Sequence, residues 1–283
     1  MRIRLVTDST ADIPLDQAKT AGITIVPLTV FFGDEAYQDG VDLDNANFYR
    51  KLQESKDLPR TSQPSPAAFQ EAYINLINDG ADAILSIHLS SKLSGTYQSA
   101  CIARDTLPDT VKKIPIEIID SKNISIAMSR CIMRAAQEAK EGFGLAEIKA
   151  HIFDELSRTR ILCVLDTLEY VKRGGRIGGA RAFLGNMLSV KPIISLKDGE
   201  VIPVEQPRTR NKAYTRVAEL MQEMGPIEHV SIAESSEGFA EQLSQYVRTV
   251  YTGDLPIYKL GATLGTHTGP GTAAIAVVIA KQA

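Results

Sequence analysis

Between Ile3 and Arg158 short apolar runs alternate with amphipathic stretches, and that alternation restricts the fold more than any other feature of the chain. "IRLVTD", "DAILSIHL" and "IEIIDS" read as strands. "LDQAKTAG", ending on Gly22, "PAAFQEAYINLIND" and "SGTYQSACIARDTL" read as helices, followed by helices from about Ile124 to Lys140 and from Leu145 to Arg158. In the second of these, Phe69, Tyr73, Leu76 and Ile77 recur at the spacing of one helical face. Ser65 suits its N-cap and Pro66 its first turn. "ITIVPLTVFF" is strand-like, and Pro27 inside it marks an edge or a bend. Strands separated by helices pair in parallel, so this half is predicted to form a mostly parallel sheet flanked by helices.

The pattern changes after about residue 160. "ILCVLDTLEYVKRGGRIGG" reads as a strand, a short helix and a glycine-rich turn. "KPIISLKDGEVIPVEQ" is a hairpin, because Asp198-Gly199 suits a two-residue turn between extended runs. One amphipathic helix carries Tyr214, Val217, Ala218 and Met221; another carries Phe239, Leu243, Tyr246, Val247 and Val250. The strands "HVSIAES" and "AIAVVIA" bracket the second. The expected architecture is α/β: an N-terminal domain over 1–160 and a smaller α+β domain over 161–283.

The 283 residues suit two such domains, and 44% hydrophobic content suffices for two cores. A net charge of −3 argues against a nucleic-acid binder, which carries a basic excess. Cys101, Cys131 and Cys163 are far apart in apolar surroundings and read as buried reduced thiols, which suits the cytoplasm. "MRIRLVTDST" reads as a strand entering a turn, not as a leader peptide. The longest apolar run, Ala273 to Ala280, is too short to span a bilayer, so no stable membrane insertion is expected.

Four polar segments follow strands or precede helices: "TDSTAD", "RTSQPSP", "HLSSKLSGTYQ" and "GTHTGPG". In open α/β sheets ligands collect beyond the carboxyl ends of the strands, and helix N-termini attract anions. Thr61, Ser94 and Gly95 stand just before expected helix starts, which favours a small guest, negative at one end. His267, in a glycine-rich segment read as a loop, could be a catalytic base, a phosphate acceptor, a metal ligand or a hydrogen-bonding group for an unreacting ligand. There is no P-loop, no G-x-G-x-x-G after the first strand, no G-x-S-x-G elbow, no H-E-x-x-H and no cysteine pair. Ser94, His267 and Asp8 or Asp120 can be combined into a triad on paper, as can residues of any chain this long.

Taken in order, "VTDSTADIP", "TSQPSP", "LSSKLSGTYQSA", "IDS", "LEYVKRGGRI", "KPII", "RTRNKA" and "HTGPG" resemble the DegV family of bacterial fatty-acid-binding proteins over nearly the whole chain. His88 departs from the small or hydroxyl residue expected there, and Lys92 stands where glycine is frequent. The resemblance implies a DegV-like two-domain fold with a long-chain fatty acid, such as palmitate, held between the domains and no other cofactor or metal. It implies that Thr61, Ser94, His267 and the backbone around Gly95 bind the carboxylate, with Ser62, Thr96, Thr268, Asp8, Ser9, Arg208 and Arg210 as supporting polar groups. Phe183, Leu184, Met187, Leu188 and Ile194 are candidate tail linings; Lys172, Arg173 and Arg176 are a candidate docking patch. In such a system the protein is the non-catalytic, acyl-carrying subunit: a separate ATP-dependent kinase phosphorylates the bound carboxylate for phospholipid synthesis. The alternatives are a hydrolase or phosphotransferase using Ser94 and His267, and a carrier of another apolar acid.

Overall fold

The computed structural model describes residues 1–186 and 190–281. Its strands are β1 (Ile3–Asp8), β2 (Ile23–Val26), β3 (Thr29–Phe32), β4 (Glu35–Gln38), β5 (Arg60–Ser62), β6 (Ala83–His88), β7 (Ile116–Asp120), β8 (Thr159–Val164), β9 (Ile193–Lys197), β10 (Glu200–Glu205), β11 (Ile227–Glu234), β12 (Ile257–Lys259) and β13 (Ala273–Ile279). The helices are α1 (Leu15–Ala21), α2 (Asn45–Glu54), α3 (Pro66–Asn78), α4 (Thr96–Asp105), α5 (Ile126–Glu141), α6 (Leu145–Arg158), α7 (Glu169–Arg173), α8 (Arg210–Glu223), α9 (Phe239–Val247) and α10 (Ala262–Thr268).

The N-terminal half is a three-layer α/β/α unit. Its sheet runs β2-β1-β6-β7, and every pair is parallel. One face packs Leu5, Leu85 and Ile87 against α5 and α6; the other packs Val6 and Ile84 against Phe69 and Tyr73 of α3. Ser65 caps α3 by accepting the Ala68 N–H at 3.2 Å, and Gly22 ends α1 at φ 77°. Pro27 separates β2 from β3, and the two strands go to different sheets. The second is a three-stranded antiparallel sheet, β4-β3-β5, which the sequence pattern did not reveal; α2 was missed as well.

The C-terminal sheet is mixed, in the order β10-β9-β8-β13-β11-β12. Asp198 (φ 51°) and Gly199 (φ 83°) turn the β9–β10 hairpin, both in the left-handed region that a two-residue turn requires. Side chains alternate along each strand. Leu162, Val164, Ile193, Ile275 and Val277 pack under α8 and α9. Their neighbours Cys163, Ile194 and Ala274, adjacent across the strands, point to the opposite face, toward the N-terminal half. Among the described residues, no helix is long and apolar enough to cross a membrane.

One element departs from this division. The His267 segment, expected to be a loop, is helix α10. Although it follows β12, α10 packs into the N-terminal half against α2 and the three-stranded sheet. Its glycines are packing residues. A Cβ on Gly265 would enter the rings of Phe48 and Tyr49; one on Gly269 (φ 74°) would enter the Tyr170 ring.

Candidate functional site

The C-terminal edge of the parallel sheet faces the side of β8, β9 and β13 turned away from α8 and α9, across a cavity of about 900 Å³, its mouth included. Its walls are aliphatic: Leu89, Leu93 and Ile124 from one half, Ile161, Ile194 and Leu264 from the other. Threonine, serine and histidine side chains interrupt them, and Arg176 is the one permanent cation among the described lining residues.

At one end Thr61, on the edge strand β5, meets His267 on the last turn of α10. Thr61 Oγ1 and His267 Nε2 lie 2.8 Å apart. Burial, with a smaller contribution from the nearby Arg176 cation, pushes the imidazole down to about 4, so His267 is neutral at physiological pH. Its Nδ1 is buried with no hydrogen-bond partner, under Gly174, whose missing side chain makes room for the ring. Ser94 lies on the same cavity at the start of α4, where its Oγ accepts from Thr96 N at 3.3 Å and is 2.9 Å from Thr96 Oγ1. Gly95 is the N-cap of that ten-residue helix and carries no side chain to cover its first N–H groups.

The remaining expected residues divide. Thr268 and Ile194 line the cavity, though Thr268 donates its hydroxyl hydrogen back to Leu264 O at 3.0 Å. Ser62 is exposed. Asp8 is fully buried and accepts from Thr10 N, Thr10 Oγ1 and Leu89 N, with His88 Nδ1 at 2.9 Å. Ser9 donates to Asp39 at 3.0 Å and accepts from Leu28 N. Arg208 is exposed, whereas Arg210 is tied to Asp166 and Gly271 O, both at 2.7 Å, and stacks over Phe239. Phe183 and Leu184 pack half-buried against the cluster of Leu165, Ile177 and Val201 and are not on the cavity. Met187 and Leu188 lie outside the described residues. Lys172, Arg173 and Arg176 are all exposed; Arg173 pairs with Glu169, and Arg176 also reaches the cavity and donates to Leu93 O at 3.1 Å. Cys163 lines the cavity, its thiol pushed up by burial to about 12; Cys131 is buried. His88, read as a possible wall residue, is sealed inside the sheet between Asp8 and Ser86.

Sequence reasoning missed Thr10, Ser125 and Thr263, which also line the cavity. It missed the anchor of α10 too. The N–H groups of Gly261, Ala262 and Thr263 donate to two carboxylates of the N-terminal half: Gly261 to Asp12 at 2.8 Å, Ala262 and Thr263 to Asp39 at 2.9 and 3.2 Å. Burial raises both acids, Asp12 to about 8. Ser125 donates to Asp12 from a left-handed backbone (φ 55°). No local pattern announces these partners, because each pair is joined only across the fold.

Known proteins bear the same architecture. The family model described as the DegV family of uncharacterised proteins matches residues 2–280. A DegV domain-containing protein of Halalkalibacterium halodurans is 37% identical over 285 residues, covering 99% of each chain. A solved structure concerned with fatty acid binding of a DegV family protein from Thermus thermophilus superposes with a TM-score of 0.91 at 33% identity, covering 99% of this chain and 100% of that one. DegV of Bacillus subtilis, described as a fatty acid binding protein, gives 0.86 at 31% identity with the same coverage. A match of this extent, in sequence and in three dimensions, means that the chain belongs to the DegV family.

Proposed function

We propose that the protein holds a long-chain fatty acid in this cavity and presents its carboxylate to a separate ATP-dependent kinase, which makes the acyl phosphate used in phospholipid synthesis. The observation that carries the reading is the neutral Thr61–His267 pair beside Ser94, at one end of a cavity with aliphatic walls. Burying the tail of a palmitate-length acid supplies on the order of 10 kcal/mol, at about 0.8 kcal/mol per CH₂, before ordering costs. The carboxylate must keep its hydrogen bonds, since an unpaired buried anion costs several kcal/mol. With His267 as the Nε2–H tautomer, the imidazole donates to Thr61 Oγ1 and leaves the Thr61 hydrogen free for the acid. Ser94, the N–H groups at the start of α4 and the Arg176 guanidinium complete the set. The fatty-acid binding described for the Thermus thermophilus and Bacillus subtilis relatives supports the same ligand class.

A hydrolase using Ser94 and His267 is disfavoured by geometry. Ser94 Oγ bonds Thr96, and His267 Nδ1, the nitrogen that keeps a lone pair, is buried against Gly174 with no hydrogen bond to Ser94. The Ser–His–Asp chain that does form, Ser86–His88–Asp8, is wholly buried and closed to any substrate.

Native mass spectrometry of the Thr61→Ala/Ser94→Ala double variant is the direct test. Lipid occupancy should fall at least tenfold while the protein stays folded; full occupancy would remove both hydroxyls from the clamp. The pure protein with ATP and fatty acid should yield no acyl phosphate until a kinase subunit is added.

A further inference from the structure

We propose that His88, sealed off from the cavity, is a positioning residue for it: through Asp8 it fixes the two wall segments that carry Thr10 and Leu89. This rests on the fatty-acid reading above. A row of polar groups, Tyr73–Ser86–His88–Asp8–Thr10, runs from α3 to the carboxyl edge of the parallel sheet, and each of the five residues is 0% exposed. The links are 2.9 Å from Tyr73 Oη to Ser86 Oγ, 2.7 Å from Ser86 Oγ to His88 Nε2, 2.9 Å from His88 Nδ1 to Asp8 Oδ2 and 2.5 Å from Thr10 Oγ1 to Asp8 Oδ1. Of the five, Thr10 alone lines the cavity.

The direction of these bonds follows from counting hydrogens. Burial raises the Tyr73 phenol, so it keeps its proton and donates it to its partner Ser86. Ser86 then has its own hydrogen for His88 Nε2, so the imidazole carries its hydrogen on Nδ1 and gives it to Asp8. The reverse order would leave the Tyr73 hydrogen without an acceptor in a dry interior.

Asp8 joins two walls. Its Oδ1 accepts from N and Oγ1 of Thr10, just past the end of β1. Its Oδ2 accepts from His88 and, at 3.2 Å, from Leu89 N, at the end of β6. Thr10 and Leu89 line the cavity from these two strand ends, and Leu89 opens the loop that carries Ser94. Without the Nδ1 hydrogen, Oδ2 keeps only the Leu89 N–H, and the carboxylate is free to turn away from one wall or the other. Phe69 packs edge-on against the imidazole, centroids 4.9 Å apart, so replacing the ring removes packing as well as hydrogen bonds.

Two substitutions separate the bond to Asp8 from the packing. The amide nitrogen of Asn stands on Cγ, as Nδ1 does; the amide of Gln stands one bond further out, as Nε2 does. His88→Asn therefore keeps a donor for Asp8 and His88→Gln a partner for Ser86, while both lose the contact with Phe69. In the delipidated full-length protein, His88→Gln should weaken stearate binding about tenfold and speed amide hydrogen exchange at Thr10 and Leu89 by a similar factor, the scale of one lost hydrogen bond to a charged group. His88→Asn should keep both within about threefold of the parent, although the two variants lose similar stability in urea. Equal losses of affinity in both variants, or a Gln variant that binds as the parent does, would make His88 a filler of the core and overturn the proposal, leaving the fatty-acid reading in place. NMR of the nitrogen-labelled parent should show the ring hydrogen on Nδ1 alone; a hydrogen on Nε2 would overturn the proposal even if neither variant folds. If the parent takes up no stearate, the fatty-acid reading falls, and the exchange rates still decide whether His88 holds the two walls.

Discussion

The two ends of α10 are both gripped by the N-terminal half of the molecule, by opposite chemistry. At its N-terminus two buried carboxylates, Asp12 and Asp39, take up the N–H groups of Gly261, Ala262 and Thr263. At its C-terminal end the partner is neutral: Thr61 meets an uncharged His267, and no acidic side chain is among the described residues lining the cavity. The protein supplies buried carboxyl groups of its own where a helix must be anchored. It supplies donors where a guest anion is to be placed, since two carboxylates crowded into one dry site raise each other's pKa and oppose joint ionisation. One helix thus carries an N-terminus filled by carboxyl groups of the same chain and, seven residues away at most, a donor site with capacity to spare.

Substitutions at the two ends should separate these roles. The largest effect is expected at the anchored end. Asp39→Ala strands two buried N–H groups and should cost about 2–4 kcal/mol of stability in urea unfolding. A loss under about 1 kcal/mol would mean that α10 is not held there. Gly174→Ala acts on the other end by driving a methyl group into the His267 ring. Overpacking of this kind costs about 1–3 kcal/mol. Here the damage should fall on lipid occupancy in native mass spectrometry, with the urea midpoint moving less than for Asp39→Ala; the reverse ranking would dissolve the contrast.

The most discriminating contrast concerns pH. Burial lifts Asp12 from 3.8 to about 8, so the native state keeps a proton that the unfolded chain releases much earlier. The stability linked to this group is fully present below its unfolded value and is lost as pH rises through about 8. Asp12→Asn keeps the protonated shape and should flatten the decline of Tm between pH 4 and 8, with little change near pH 4. A decline as steep as the parent's would assign the titration to another group, with Asp39 the first to examine.

Much of the scaffold was legible because its signals are local. Ser65-Pro66 starts α3, Gly22 stops α1, and Asp198-Gly199 turns β9 into β10 through backbone preferences of the residues themselves. The motif residues Thr61, Ser94 and His267 could be picked out, and the fold places all three on one cavity. Other features were hidden. His267 reads as a loop residue because Gly265 and Gly269 weaken helix propensity, yet those glycines are there to let α10 approach Phe48, Tyr49 and Tyr170. Arg176 groups with Lys172 and Arg173 by sequence proximity, and only the fold shows that its side chain also lines the cavity. Thr10, Ser125 and Thr263 carry no local mark, since their meaning depends on Asp8, Asp12 and Asp39.

Periodicity and turn chemistry by themselves determined most of the strands and helices, the parallel N-terminal sheet and the α+β character of the C-terminal half, because these depend on contacts a few residues apart. Only the tertiary structure decided that a late helix is housed in the early half, that its N-terminus is filled by Asp12 and Asp39, and that Thr61 and His267 meet across 206 positions of chain. Such pairings are settled by burial and by which polar groups would otherwise go unpartnered. Those quantities belong to the packed molecule and have no counterpart in any short window of residues.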